Sequence, residues 1–155
     1  DKTLDQQPRL LHNVSGIFEH RLVNLLIPEN TNSIMFKDMQ GSVLPAWSAH
    51  GEGHLHLPKD NYDEIEKSGL VAVYYADGNG IKTENYPANP NGTKNGIAGL
   101  CTKDGRHTFM MPHIERVSAS NDHLPYKPDD FDFKNPIWEK AFKNMYDWLS
   151  NINSN

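Results

Sequence analysis

The sequence predicts an α/β fold. Three observations carry that prediction: strand-length apolar runs separated by Gly, Pro, Asn and Asp clusters between residues 15 and 111, one helical segment at 135–152, and a loop-rich composition with 11 glycines and 10 prolines. A length of 155 residues suits one domain with a substantial core. The net charge of −5, without a basic run, argues against nucleic acid or a membrane surface as partner. No window has the apolar length of a transmembrane helix and no signal peptide is evident, so membrane insertion and secretion are not expected. The single cysteine, Cys101, excludes an internal disulfide and fits a reducing, cytoplasmic setting. Asn13-Val14-Ser15 and Asn91-Gly92-Thr93 match the glycosylation pattern, and without a secretion signal they read as chance matches.

Residues 1–7 are polar and aperiodic and read as a frayed start. Residues 15–27 form a strand candidate, with Phe18, Leu22 and Leu26 on one face and Ile17, Val23, Leu25 and Ile27 on the other. Both faces turn apolar toward its end, as in a covered central strand. A loop at 28–32 precedes a short helical turn at 33–39, closed by Gly41. Val43-Leu44-Pro45-Ala46-Trp47 opens a second strand that runs to His50. Acid-rich residues 60–68 read as a short helix or loop, and residues 70–75 as a strand. Asp77-Gly78-Asn79-Gly80 is a tight-turn signal, predicting a further strand at 82–86. The Pro, Asn and Gly of residues 87–95 require an irregular loop. Residues 97–101 and 106–111 flank Thr102-Lys103-Asp104-Gly105 as a hairpin. Residues 118–134, with Pro125, Pro128 and four aspartates, read as a solvated loop. Asn135 can then cap a helix and Pro136 fits its first position. Trp138, Ala141, Phe142, Met145, Trp148 or Leu149, and Ile152 recur at helical spacing as a core stripe.

Three groups of residues carry chemistry. In Phe109-Met110-Met111-Pro112-His113-Ile114-Glu115-Arg116-Val117 an apolar run ends at a proline, a histidine follows, and a carboxylate stands two residues on. Extended spacing of two puts His113 and Glu115 on the same side of the backbone, where the carboxylate would select the imidazole tautomer and stabilise the imidazolium. The same pair is also common as a structural ion pair. In His50-Gly51-Glu52-Gly53-His54-Leu55-His56, a continuous strand would put His50, Glu52, His54 and His56 on one face, and these side chains are possible zinc ligands. First to last they would spread over roughly 20 Å, too far to share a metal. A bend at the two glycines followed by a solvated strand edge is the simpler reading, and no metal site is expected. Cys101 would lie near the hairpin turn, opposite Arg106, with His113 beyond the far end of the same strand. Seven residues at about 3.3 Å each separate the two levels by roughly 23 Å, so Cys101 reads as an inert, packed thiol rather than a nucleophile partnered by His113.

Met110-Met111-Pro112-His113-x-Glu115-Arg116-Val117 resembles the end of the class I glutamine amidotransferase (glutaminase) domain of phosphoribosylformylglycinamidine synthases. The resemblance extends in order through Pro8-Arg9, Asn13-x-Ser15-Gly16-x-Phe18-Glu19-x-Arg21, Gly41-Ser42-Val43-Leu44-Pro45 and Ala49-His50-Gly51-Glu52-Gly53. It continues through Glu84-x-Tyr86-Pro87-x-Asn89-Pro90-Asn91-Gly92, Asn95-Gly96-Ile97-Ala98-Gly99 and Asp104-Gly105-Arg106. It covers about Pro8 to Val117 and extends weakly into the last helix. Ile114 departs from the family, which usually has proline there.

The resemblance implies part of a three-layer, flavodoxin-like glutaminase domain, lacking the N-terminal portion with the nucleophile elbow. Residues 1–155 would be its C-terminal portion: a frayed start at 1–7, a family-like core at 8–117, a loop at 118–134 and a C-terminal helix at 135–152. The family works through a Cys-His-Glu triad, so His113 and Glu115 become the catalytic candidates. The cysteine belongs to a Gly-x-Cys-x-Gly elbow upstream of Asp1. His50, Glu52, Asn91 and Gly92 become candidates for the loops around the glutamine pocket. Glutamine, the upstream part of the domain and a separate synthetase domain are the implied partners. ATP and Mg²⁺ would serve that synthetase domain in converting formylglycinamide ribonucleotide to formylglycinamidine ribonucleotide, a step of purine synthesis, with no cofactor expected in this chain. The isolated chain is expected to be inactive. The alternative is a non-catalytic α/β binding module that kept the scaffold and lost the nucleophile.

Overall fold

Backbone hydrogen bonds between extended apolar segments build the chain around one antiparallel sheet in the computed structural model, which describes residues 6–117 and 136–152. The strands are β1 (Arg9–Leu11), β2 (Glu19–Leu26), β3 (Val43–His50), β4 (His54–His56), β5 (Val71–Ala76), β6 (Ile97–Cys101) and β7 (Thr108–Met110). The main sheet has the order β3-β2-β5-β6-β7, while β1 and β4 pair separately. The helices are α1 (Tyr62–Lys67) and α2 (Glu139–Ile152), and single 3₁₀ turns occur at Ile34–Phe36, Lys94–Gly96 and Ile114–Arg116. The chain is therefore mixed α/β, as its sequence predicts. The loop expected at 118–134, the Asn135 cap and the first five residues of the expected frayed start lie outside the described residues.

The sheet separates two apolar clusters. One gathers Val23, Leu25 and Ile27 with Phe36, Ala46, Val73, Tyr75, Ile114, Trp138 and Ala141; the other gathers Leu55, Leu57, Tyr62, Val71, Tyr74 and Ile97. All six residues of β5 are buried. Its side chains do not alternate strictly, because register shifts at Val71/Val73 and Val73/Tyr74 interrupt its pairing with β6. Ala72 and Val73 consequently face the same cluster. Pro45 is tolerated inside β3 because β3 forms an edge of the sheet.

Several elements differ from expectation. The first long strand begins at Glu19 rather than residue 15, and Ile17 and Phe18 are exposed. Asn13 holds the preceding segment as a turn, accepting from Gly16 N–H at 2.9 Å and donating through its side chain to the Ile17 carbonyl at 3.1 Å. No strand forms at 82–86: a single bridge pairs Ala76 with Lys82, after which Thr83 and Asn85 turn the chain away by side-chain and backbone bonds. The hairpin register is shifted, with Cys101 opposite Thr108, because Thr102 N–H closes the turn on the His107 carbonyl at 3.0 Å. The helical stripe is also divided. Trp138 and Ala141 are buried, whereas Phe142, Leu149 and Ile152 are about half exposed.

Trp138 fastens α2 to the sheet. Its ring packs at 5.9 Å from that of Phe36, and its indole N–H donates to the Pro45 carbonyl at 2.8 Å. Replacing it with Ala is expected to lower the unfolding free energy by about 3–5 kcal/mol. Trp138→Phe retains most of the packing but removes the donor, so its loss in urea titrations should be smaller, roughly 1–3 kcal/mol.

Candidate active site

The sheet curls far enough for the segment beyond β7 to reach the free edge of β3. His113 and Trp47 form an antiparallel bridge, with His113 N–H donating to the Trp47 carbonyl at 2.6 Å and Trp47 N–H to the His113 carbonyl at 3.3 Å. This bridge, rather than the end of β7, fixes the His113 backbone. The 3₁₀ turn Ile114–Arg116 follows at once and buries Ile114 in the core. His113 itself is extended, while Glu115 lies within the turn. The two side chains therefore meet across an extended-to-3₁₀ junction, not along a strand as the spacing of two suggested. His113 Nδ1 lies 2.7 Å from Glu115 Oε1. A carboxylate oxygen only accepts, so Nδ1–H donates and Nε2 is left to exchange protons. The side chains are 32% and 57% exposed.

Behind this pair lies a buried polar network. Its centre is His50, at the end of β3 opposite Glu19 of β2. Ser48 Oγ is 2.8 Å from His50 Nε2, and Asn13 Oδ1 is 3.2 Å from His50 Nδ1. Asn13 also donates to the His50 carbonyl at 2.7 Å and accepts from Gly53 N–H at 3.0 Å. Asn91 is fully buried and donates to the Gly53 carbonyl at 2.8 Å and to Tyr75 Oη at 2.7 Å. Burial lowers the His50 pKa, with His113 acting in the same direction and Glu19 opposing it. Tyr75 is driven upward by complete burial.

The loop candidates thus divide. His50 and Asn91 converge on this network, Gly92 beside it donates its N–H to Asn89 Oδ1 at 3.0 Å, and Glu52 is exposed and lies 3.5 Å from His12. Gly53 fits between His50 and Asn91; a Cβ there would collide with the His50 ring and approach the Asn91 carboxamide to 2.9 Å. Gly92, at φ +72°, passes so close to Val14 that a Cβ would collide with its side chain. His54 and His56 belong to β4 and are separated from His50 by the bend at 51–53. Among the described residues no group of three or more His, Cys, Asp or Glu side chains is arranged to hold a metal ion.

Sequence reasoning did not single out Ser48, Tyr75, Glu19 or Arg21. Glu19 is 1% exposed, and its Oε2 accepts from Arg21 Nε at 2.8 Å. Arg21 in turn donates to Tyr86 Oη at 2.7 Å and lies over that ring at 4.8 Å. The Glu19-x-Arg21 spacing on a strand was the available signal for this pair. Cys101 is at another location: its thiol donates to the Gly69 carbonyl at 3.5 Å and approaches Thr31 Oγ1 at 4.0 Å. Burial raises its pKa, so it is a poor source of thiolate.

Residues 1–149 match the family model for the CobB/CobQ-like glutamine amidotransferase domain. The chain belongs to that family. Over 147 residues it is 43% identical to an Arabidopsis thaliana protein named "Probable phosphoribosylformylglycinamidine synthase, chloroplastic/mitochondrial", a match covering 92% of this chain and 10% of that protein. Proteins named phosphoribosylformylglycinamidine synthase from Drosophila melanogaster and Homo sapiens are 42% and 38% identical, covering 96% and 93% of this chain and 11% of each relative. The chain thus spans about a tenth of the length of these curated relatives. A solved structure of PurLQS from Thermotoga maritima superposes with a TM-score of 0.59 at 22% identity, covering 92% of this chain and 53% of that one. This likeness shows that the two chains share a mixed α/β fold. Among the described residues no helix is long and apolar enough to cross a membrane.

Two outcomes follow from this geometry. Gly53→Ala must displace His50 or Asn91, and such overpacking is expected to cost about 1–3 kcal/mol in urea unfolding. Stability should also fall on acidification. The folded-state pKa of His50 lies below its unfolded value of about 6.5, so below that pH the unfolded chain takes up a proton that the folded chain resists. His54 contributes in the same direction, through burial and its neighbour His56. The urea midpoint should therefore drop between pH 7.5 and 5.5, with a shallower drop in His50→Gln.

Proposed function

We propose that this chain supplies the histidine and carboxylate of a Cys-His-Glu glutaminase triad within a phosphoribosylformylglycinamidine synthase. The observation that carries this reading is the 2.7 Å hydrogen bond from His113 Nδ1–H to Glu115, which leaves Nε2 on a partly exposed ring as an oriented base. Family membership and the names of the relatives support the substrate assignment. In this reading residues 1–155 are the C-terminal portion of the glutaminase domain, and the nucleophilic thiol comes from polypeptide outside them.

His113 Nε2 would accept the cysteine proton as sulfur attacks the side-chain amide carbonyl of glutamine. Glu115 would hold the ring and stabilise the imidazolium. As the tetrahedral intermediate collapses, the C–N bond breaks and His113 returns the proton to the departing ammonia. Water then attacks the glutamyl thioester, with His113 again taking a proton, and glutamate is released. Backbone N–H groups near the elbow would stabilise the oxyanion. Ammonia would pass to the synthetase domain, where ATP and Mg²⁺ activate formylglycinamide ribonucleotide. The His50 loop and residues 89–92 would form the wall behind the triad. A cytoplasmic location belongs to the same proposal, supported by the lone cysteine. The oriented, accessible imidazole favours this reading over a non-catalytic module.

In the complete enzyme, His113→Ala is expected to lower glutamine-dependent synthesis by at least about 10²–10⁴-fold while sparing ammonia-dependent synthesis. Glu115→Gln should give a smaller loss of the same kind. Unchanged glutamine-dependent synthesis in His113→Ala would overturn the assignment, and parallel loss of both rates would point to damaged folding. The isolated chain should produce no glutamate from glutamine above background.

A further inference from the structure

We propose that Asn79 is a site of spontaneous deamidation, where the Gly80 nitrogen closes onto the Asn79 side-chain amide and water opens the ring to aspartate or isoaspartate. The isoaspartate form is a substrate for an isoaspartyl methyltransferase that uses S-adenosylmethionine. This modification is independent of the glutaminase reading.

The chain holds three Asn-Gly pairs, Asn79-Gly80, Asn91-Gly92 and Asn95-Gly96. A glycine in second place has no Cβ to obstruct attack by its own nitrogen. The fold treats the three pairs differently. Asn91 is fully buried, its Nδ2 is committed to the Gly53 carbonyl and Tyr75 Oη, and Gly92 N–H is held by Asn89 Oδ1 at 3.0 Å. Asn95 is half-buried, and its Nδ2 donates to Asp63 Oδ1 at 3.0 Å and to Glu66 Oε2 at 3.1 Å. The buried Gly96 N–H donates to the Thr93 carbonyl at 3.1 Å. Asn79 is exposed, and among the described residues its carboxamide makes no hydrogen bond. Only there is the amide free to swing over the following nitrogen with water at hand.

The remaining obstacle is the turn itself, and Asp77 holds it. The Asp77 carbonyl accepts from Gly80 N–H at 3.1 Å, and its Oδ1 accepts from the N–H groups of Asn79 at 2.8 Å and Ile81 at 3.0 Å. These bonds lie on the surface, so a local opening that replaces them with water releases the Gly80 nitrogen without disturbing the core. The nitrogen then gives its proton to water and attacks Asn79 Cγ. A C–N bond closes a five-membered imide, the Cγ–Nδ2 bond breaks, and Nδ2 leaves as ammonia after taking up a proton. Water reopens the imide. Cleavage of the new bond at Cγ gives aspartate, and cleavage at the Asn79 main-chain carbonyl gives isoaspartate, which lengthens the backbone by one carbon. The turn follows β5, whose Ala76 pairs with Asn24 of β2, whereas Glu19 of β2 lies opposite His50. Five residues at about 3.3 Å put the turn roughly 17 Å along β2 from the His50 end, so the change stays clear of His113.

The test is peptide mapping by mass spectrometry after the complete enzyme is incubated in mildly alkaline water enriched in oxygen-18. The Asn79 peptide should take up heavy oxygen several-fold faster than the Asn91 and Asn95 peptides. Treatment with an isoaspartyl methyltransferase and labelled S-adenosylmethionine should mark the same peptide, and Asn79→Gln should remove that mark. In urea the three peptides should convert at similar rates, because the fold no longer separates them. Asp77→Ala takes away the carboxylate that closes the turn and should speed conversion of Asn79 several-fold, while Asp77→Asn keeps an oxygen acceptor and should stay nearer the native rate. Conversion of Asn91 or Asn95 as fast as Asn79 in the native enzyme would overturn the proposal. So would the same ranking in urea, which would assign the selectivity to sequence alone, or an unchanged rate in Asp77→Ala. Glutamine-dependent synthesis should be equal before and after conversion, and His113→Ala leaves the Asn79 rate untouched, so the outcome is read separately from the triad assignment.

Discussion

The pair of backbone hydrogen bonds between Trp47 and His113 is the constraint on which the site depends. Without it, β3 would present a free edge and the His113 backbone would lose both of its partners. With it, the five-stranded sheet curls so that its last segment meets its first strand. Trp47 stands three residues before His50 on β3, so the same contact that holds His113 also sets it beside the His50 network. Ile114, one residue beyond the bridge, is driven into the core and fixes the turn that brings Glu115 back to His113. A single β-bridge thus links core packing to the geometry of the His113–Glu115 pair.

The site has a dry side and a wet side. His113 and Glu115 are accessible, and their 2.7 Å bond orients the ring without excluding a reactant. His50, Asn13, Ser48, Tyr75, Asn91 and Thr93 lie inside, where a lost hydrogen bond is costly because water cannot replace it. Gly53 in the 51–53 bend reflects this crowding, since it leaves no room for a Cβ between His50 and Asn91. Three segments far apart in sequence, around Asn13, His50 and Asn91, are joined by side-chain bonds to one another's backbone. These bonds hold the segments behind His113 and Glu115 together.

The prominent strands and the last helix were legible because they rest on local signals. Val43 to His50 carries an apolar run, Val71 to Ala76 is apolar throughout, and Trp138 with Ala141 marks the buried side of α2. The misreadings arose where local polar bonds compete with extended structure. Asn13 turns the chain before Glu19, Thr83 ends pairing after Lys82, and the Thr102–His107 turn slides the hairpin register. Period-two reasoning placed His50, Glu52, His54 and His56 on one face, but the glycine bend puts them on different elements.

The sequence by itself determined the α/β character, the candidacy of His113 with Glu115, and the exclusion of Cys101 as their thiol. The first and last follow from side-chain chemistry and short-range spacing, which a linear chain records directly, and the candidacy follows from the family resemblance of the motif that holds the pair. Only the tertiary structure decided that a bridge to Trp47 holds His113 and that Glu115 reaches it from a 3₁₀ turn. It also decided that His50 and Asn91 are buried partners while Glu52 faces solvent. Those outcomes depend on contacts between residues tens of positions apart, where sheet curvature and the burial of Ile114 and Tyr75 select the arrangement. No local pattern in the chain encodes that selection.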